Sequence, residues 1–213
     1  MEAPTPGCHS PPMAPPSLLD DRSIPDFRDR YQALLSGAGE VAVALSRVRL
    51  AGLQLEAGEL LSPKRIRVVV MELSGITLAM EADRLAEHPR ARERVQALAG
   101  LLEAGRLQVR SAPLGGWSPD FSIFVPRETP GPAANTLLGP TLMVGPHWME
   151  RPYPHRGPAL TSIHRGTDAS RALARFEELW SVAHDVSSAV TGTLRSALQR
   201  GGGQGSYGGL TWP

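Results

Sequence analysis

One stretch constrains the fold of this chain more than any other. Residues 66–73 read IRVVVMEL, a nearly continuous apolar run rich in β-branched side chains. Such residues fit a pleated surface, and an apolar run without alternation fits a strand covered on both faces, as in a parallel sheet. A helical pattern follows at once. Ala91, Val95, Leu98 and Leu102 form one stripe within Asp83 to Ala104, while Arg84, Arg90, Glu93 and Arg94 lie largely outside it. His88-Pro89 offers an alternative start near Pro89, and Gly105 suits a left-handed helix stop. Leu107 to Ala112 (LQVRSA) then reads as another strand. Strand, helix and strand in this order make a βαβ unit with a right-handed crossover.

The rest of the chain extends this unit. Asp26 to Leu35 places Phe27, Tyr31, Leu34 and Leu35 at helical spacing, and Gly37 and Gly39 end that helix. Glu40 to Val48 reads as a buried strand. Phe121 to Val125, Thr141 to Val144 and Ala159 to His164 read as shorter strands between Gly- and Pro-rich loops. A last helix, capped by Thr167 or Asp168, carries Leu173, Phe176, Trp180 and Ala183 inward and is expected to reach about Val190. His184 and Asp185 are neighbours on that helix, so they diverge and form no ready dyad. Glu72, at the end of its strand, is expected to pair with an arginine or to enter a site at the sheet edge.

The expected domain is therefore residues 24–198. Residues 1–23, rich in Pro and small side chains, and residues 199–213, Gly-rich with Tyr207 and Trp212, are expected to be disordered tails. The hydrophobic content of 41% suffices for one domain and its tails. A net charge of +1 supplies no global field towards nucleic acid or membrane. Cys8 is the single cysteine, which excludes an internal disulfide and a thiolate metal cage. The first residues lack the basic and apolar regions of a signal peptide, and no apolar run approaches a membrane span. The expectation is a cytoplasmic protein without membrane association, cofactor or metal.

Motifs for phosphate loops, zinc proteases and serine nucleophile elbows do not occur. The densest functional chemistry lies between Gly145 and Arg165 (GPHWMERPYPHRGPALTSIHR). His147, Trp148, Arg151, Tyr153, His155, Arg156, His164 and Arg165 concentrate proton-handling, phosphate-binding and stacking groups there. The competing account is a stiff Pro-rich loop whose aromatics pack and whose cations are solvated. Lys64 is the only lysine, so every other cation is arginine, the better phosphate fork. Codon bias in a GC-rich, bacterial genome accounts for the same preference.

The order of elements resembles one half of the phospholipase D-like superfamily. Ile66 to Leu73, the helix ending Leu101-Leu102-Glu103-Ala104-Gly105, and Leu107 to Arg110 resemble its first strands and turn. Phe121 to Val125 stands where that family carries His-x-Lys, and Leu142 to Trp148 where it carries Gly-Ser-x-Asn. Ala159 to His164 and the helix through Phe176 and Trp180 resemble its end. The resemblance implies an α/β fold: a single phospholipase D-like domain with a mixed, largely parallel sheet flanked by helices. It also implies a phosphate-facing groove and a homodimer interface. The chemistry departs from the family. There the histidine attacks phosphorus and the lysine holds the phosphate, but no His-x-Lys exists here, and Asp120, Ser122 and Phe124 occupy the strand. Pro146 follows Gly145 where serine belongs. The expectation is a non-catalytic domain that binds DNA, RNA or another phosphate-bearing partner. The alternatives are a phosphodiesterase or nuclease with histidines relocated to His147 and His164, and a structural or regulatory dimerising subunit.

Overall fold

A computed structural model describes residues 17–20, 24–48, 50, 58, 61–112, 120–127, 139–145 and 160–201. Its elements are β1 (Ser17–Asp20), α1 (Ile24–Gly37), β2 (Ala38–Arg47), β3 (Arg65–Glu72), α2 (Gly75–Ala86), α3 (Pro89–Glu103), β4 (Leu107–Ser111), β5 (Phe121–Pro126), β6 (Thr141–Val144), β7 (Leu160–Arg165), α4 (Thr167–Val182), β8 (His184–Asp185) and α5 (Ser187–Arg200). The strands form one eight-stranded sheet in the order β1-β7-β6-β5-β2-β3-β4-β8. This is the expected α/β fold with a mixed sheet flanked by helices.

The run at residues 66–73 is β3, and it lies between β2 and β4, parallel to both. Ile66, Val68 and Val70 face one core with Leu78, Val95, Leu98 and Leu194. Val69 faces a second core with Ile123, Phe176 and Trp180. Burial on both faces explains the missing alternation. The first core is covered by α1, α2, α3 and α5, and the second by α4.

Parallel pairing stops at these three strands. β5, β6, β7 and β1 continue from β2 in antiparallel pairs, and β8 closes the other side antiparallel to β4. The sheet is thus mixed: the strands of the βαβ unit, β3 and β4, are parallel as expected, and antiparallel pairs flank them and β2. β5, β6 and β7 follow one another in the chain and pair as antiparallel neighbours.

Three boundaries differ from the sequence reading. Ser17–Asp20, expected in the N-terminal tail, pair with β7 from Ser17↔Ile163 to Asp20↔Leu160. The helix expected from Asp83 is two helices, because Pro89 lacks the N–H needed to continue and starts α3 instead. The segment before it, capped by Ser74, whose hydroxyl accepts the Thr77 amide, forms α2. The last helix stops at Val182 rather than near Val190, and His184–Asp185 pair with β4 before α5 begins. Gly105 does take the left-handed conformation, with φ of 66°.

Candidate functional site

The parallel strands give the sheet two unlike edges. At the carboxyl edge lie the ends of β2, β3, β4 and β6 and the starts of β5 and β7. At the amino edge lie the starts of β2, β3, β4 and β6 and the ends of β5 and β7. The chain leaves β2 towards β3 and β4, then returns to β2's other side as β5. This makes the β2–β5 boundary a topological switch point, where open α/β sheets form a crevice outside the carboxyl ends.

Asp120 sits at that boundary. Its Oδ1 accepts the Ser46 amide, which ties the start of β5 to the end of β2. One strand further on, Arg47 donates to Glu72 at 2.7 Å, with side chains 60% and 52% exposed. Glu72 therefore pairs with an arginine, as expected, in a contact that solvent screens.

Segment 146–159 connects β6 to β7, so both its anchors lie at this same edge. Val144 pairs with Ser162, and Gly145 has a φ of 141°, a conformation open to glycine. His147, Trp148, Arg151, Tyr153, His155 and Arg156 lie in this segment, outside the described residues. His164 and Arg165 lie elsewhere. They occupy the far end of β7, with Arg165 opposite Thr141, about 17 Å from the Leu160 anchor at strand rise. His164 Nε2 is 2.9 Å from Ser162 Oγ, and Nδ1 is 3.8 Å from Asp168 Oδ2, too far for a hydrogen bond. Arg165 is exposed. Of the eight expected residues, the two that are described, His164 and Arg165, lie at the amino edge.

Sequence reasoning missed Arg67, which forms the main polar network of the second core. Its guanidinium donates to Glu40 at 2.6 Å and to Glu177 of α4 at 2.8 Å, in a two-pronged pair with the latter. It also lies 5.1 Å from the Phe176 ring centroid and 5.3 Å from that of Trp180. Burial works against the charge, but bonds and attraction from Glu177 and Glu40 outweigh it and raise the Arg67 pKa. The Arg67 hydrogen bond lowers that of Glu177. Arg110 bonds the Trp180 carbonyl at 2.7 Å and lies 4.4 Å from its ring. The network clamps α4 to the sheet. The signal for it was the one cation inside an otherwise apolar RVVV run.

Among the described residues, no group of three or more His, Cys, Asp or Glu side chains could hold a metal. No helix among them is long and apolar enough to cross a membrane. No protein-family model matches this chain, and no curated protein matches it. Among solved structures, it is similar to TrmBL2, an archaeal chromatin protein with a novel mode of DNA binding. That match has a TM-score of 0.42 and 10% identity, covering 84% of this chain and 57% of TrmBL2. It is also similar to Nuc from Salmonella typhimurium, a phospholipase D family member. There the TM-score is 0.43 at 10% identity, covering 80% of this chain and 98% of Nuc.

Proposed function

We propose that this chain is a non-catalytic, phospholipase D-like domain that binds nucleic acid or another phosphate-bearing partner at the carboxyl edge of its sheet. The observation that carries this reading is the anchoring of segment 146–159, which begins and ends beside the switch point marked by Asp120 and Ser46. The sequence between those anchors holds two arginines, two histidines and two aromatics (Arg151, Arg156, His147, His155, Trp148, Tyr153), and the edge that bears the anchors is of the kind where α/β sheets commonly bind ligands. Arginine forks take phosphate oxygens, and the aromatics offer faces for unpaired bases. A cytoplasmic setting and a homodimer belong to the same proposal.

The missing His-x-Lys pair argues against the family's phosphohistidine chemistry. His164 lies at the end of β7 away from the strand end of β6 that leads to His147, which weighs against a relocated pair. Arg151→Ala with Arg156→Ala tests the binding reading on a single-stranded oligonucleotide. Affinity falls, and the salt dependence becomes shallower by about one phosphate contact per arginine. Equal binding by a folded double variant would make the segment scaffold and favour the structural-subunit alternative.

A further inference from the structure

The amino edge carries a second surface of different construction. Arg106, at the entry to β4, donates to the carbonyls of Leu61 at 2.9 Å and Pro63 at 2.6 Å. Arg127, just past β5, donates to Ser62 O at 3.0 Å and Ala38 O at 3.2 Å. Carbonyl oxygens orient a guanidinium without neutralising it. Among the described residues, neither arginine meets a carboxylate. Exposed Lys64 and Arg65 stand at the start of β3, and exposed Arg165 ends β7.

These five cations follow the sheet edge from β7 to β4. Five strand spacings separate those strands in the order β7-β6-β5-β2-β3-β4, or about 24 Å. Among the described acids nearby, Glu40 holds Arg67 and stands 3.8 Å from Arg65, and Glu103 holds Arg195, while Asp168 stands 3.8 Å from His164 without a hydrogen bond to it. A chain whose net charge is only +1 therefore concentrates positive charge along one line.

We propose that this edge docks the phosphate backbone of double-stranded nucleic acid. A line of about 24 Å spans roughly seven base pairs of duplex, which carries a negative charge every ~1.7 Å of its axis. Arginines already aimed by main-chain carbonyls lose less freedom on gripping phosphate. No aromatic among the described residues is exposed along the edge, so it offers nothing for unpaired bases to stack on. Leu61, 50% exposed, is its one large exposed apolar side chain among the described residues, too little for insertion into a lipid surface. The partner class rests on the nucleic-acid reading above, but none of the five cations belongs to segment 146–159.

The test uses the full chain, a mixed-sequence DNA duplex of roughly 20 base pairs at low salt, and fluorescence anisotropy. Lys64→Glu with Arg165→Glu reverses two exposed rim cations, and a thermal melt checks that the variant is folded. Arg84→Glu with Arg90→Glu makes the same change of net charge on α2 and α3, at exposed arginines that belong to no strand end. The rim variant is expected to bind the duplex about tenfold more weakly, with a salt slope shallower by about two, while the control keeps wild-type affinity. Equal loss in both variants, no duplex binding by the wild type, or rim-dependent capture of polyglutamate or anionic vesicles in place of duplex would overturn the proposal. Should Arg151→Ala with Arg156→Ala abolish single-strand binding while the rim variant leaves duplex binding intact, the rim proposal fails and the carboxyl-edge reading survives. The opposite pattern sinks the latter and keeps the former.

Discussion

Arg67 shows how a residue can be visible in a sequence and still be missed. A lone cation inside IRVVV does not name its partners, yet its side chain is only 8% exposed. Its partners, Glu40 and Glu177, are remote in sequence, and no single-chain pattern pairs them. The buried apolar positions were easier, because each repeats at helix or strand spacing: Val95 is 1% exposed and Trp180 8%, as their stripes implied. The Arg67 network also gives a pH signature. Glu177's folded pKa lies below its ordinary value, because Arg67 hydrogen-bonds its carboxylate. The unfolded value is about 4.3. The pair's contribution is therefore complete above that value and lost as pH falls through the lower folded one. Replacing Glu177 by Gln should lower the melting temperature most near neutral pH. The gap from wild type should close as the medium is acidified below about pH 4. A gap that stays constant from neutral to acid pH would show that Arg67 does not hold Glu177 as an ion pair in solution.

At the level of elements, six of the eight strands were legible to within a residue or two, whereas β1, β8 and the helix ends were not. A strand's burial is written in its own side chains, whereas helix ends depend on caps and on neighbours. The break after α4 is the clearest case. Residues 167–198 keep an amphipathic pattern nearly throughout, so periodicity alone favours continuing past Val182. Two interactions override it: β8 pairs with β4, Arg110↔Asp185 and Ser111↔His184, and Asp185 Oδ1 accepts the Ser187 amide at 2.8 Å. That backbone bond, then Ser187's hydroxyl, lowers the Asp185 pKa. The carboxylate also sits before a helix start, where negative charge is favoured. Asp185→Ala should cost about 1 kcal/mol, typical of a lost helix-start acceptor. Asp185→Asn should recover much of it, because an amide oxygen can still accept the bond. Denaturant melts of the two variants decide this. If Asn is no better than Ala, the bond to Ser187 is not what starts α5.

On the scale of the whole molecule, β2 joins the two parts of the sheet: parallel β3 and β4 on one side, antiparallel β5, β6 and β7 on the other. The sequence made the parallel side legible, since a strand–helix–strand unit announces its own pairing. The antiparallel side was not, because its attachment to β2 through β5 and its closure by β1 on β7 join short segments far apart in the chain. The candidate site suffered for the same reason. Gly145 to Arg165 looked like one cluster because it is short, but its last strand carries His164 and Arg165 to the opposite edge. The packing predicts how the molecule comes apart. Val190, Leu194, Ala197 and Leu198 of α5 share one core with Leu78, Val95 and Leu98 of the crossover helices and with Val68 of β3. Opening the crossover therefore means exposing the centre of the sheet. Residues 66–110 contain Arg67, Arg84, Arg90, Arg92, Arg94, Arg106 and Arg110, all potential trypsin sites. None should be cut while the domain is folded, since cleavage there requires the cooperative opening that denatures the whole. Trypsin should act first outside this stretch and leave it within a protected fragment. Mass spectrometry of a short digestion reads the outcome, and early products ending at Arg84, Arg90 or Arg94 would mean that α2 and α3 open independently of the sheet they cover.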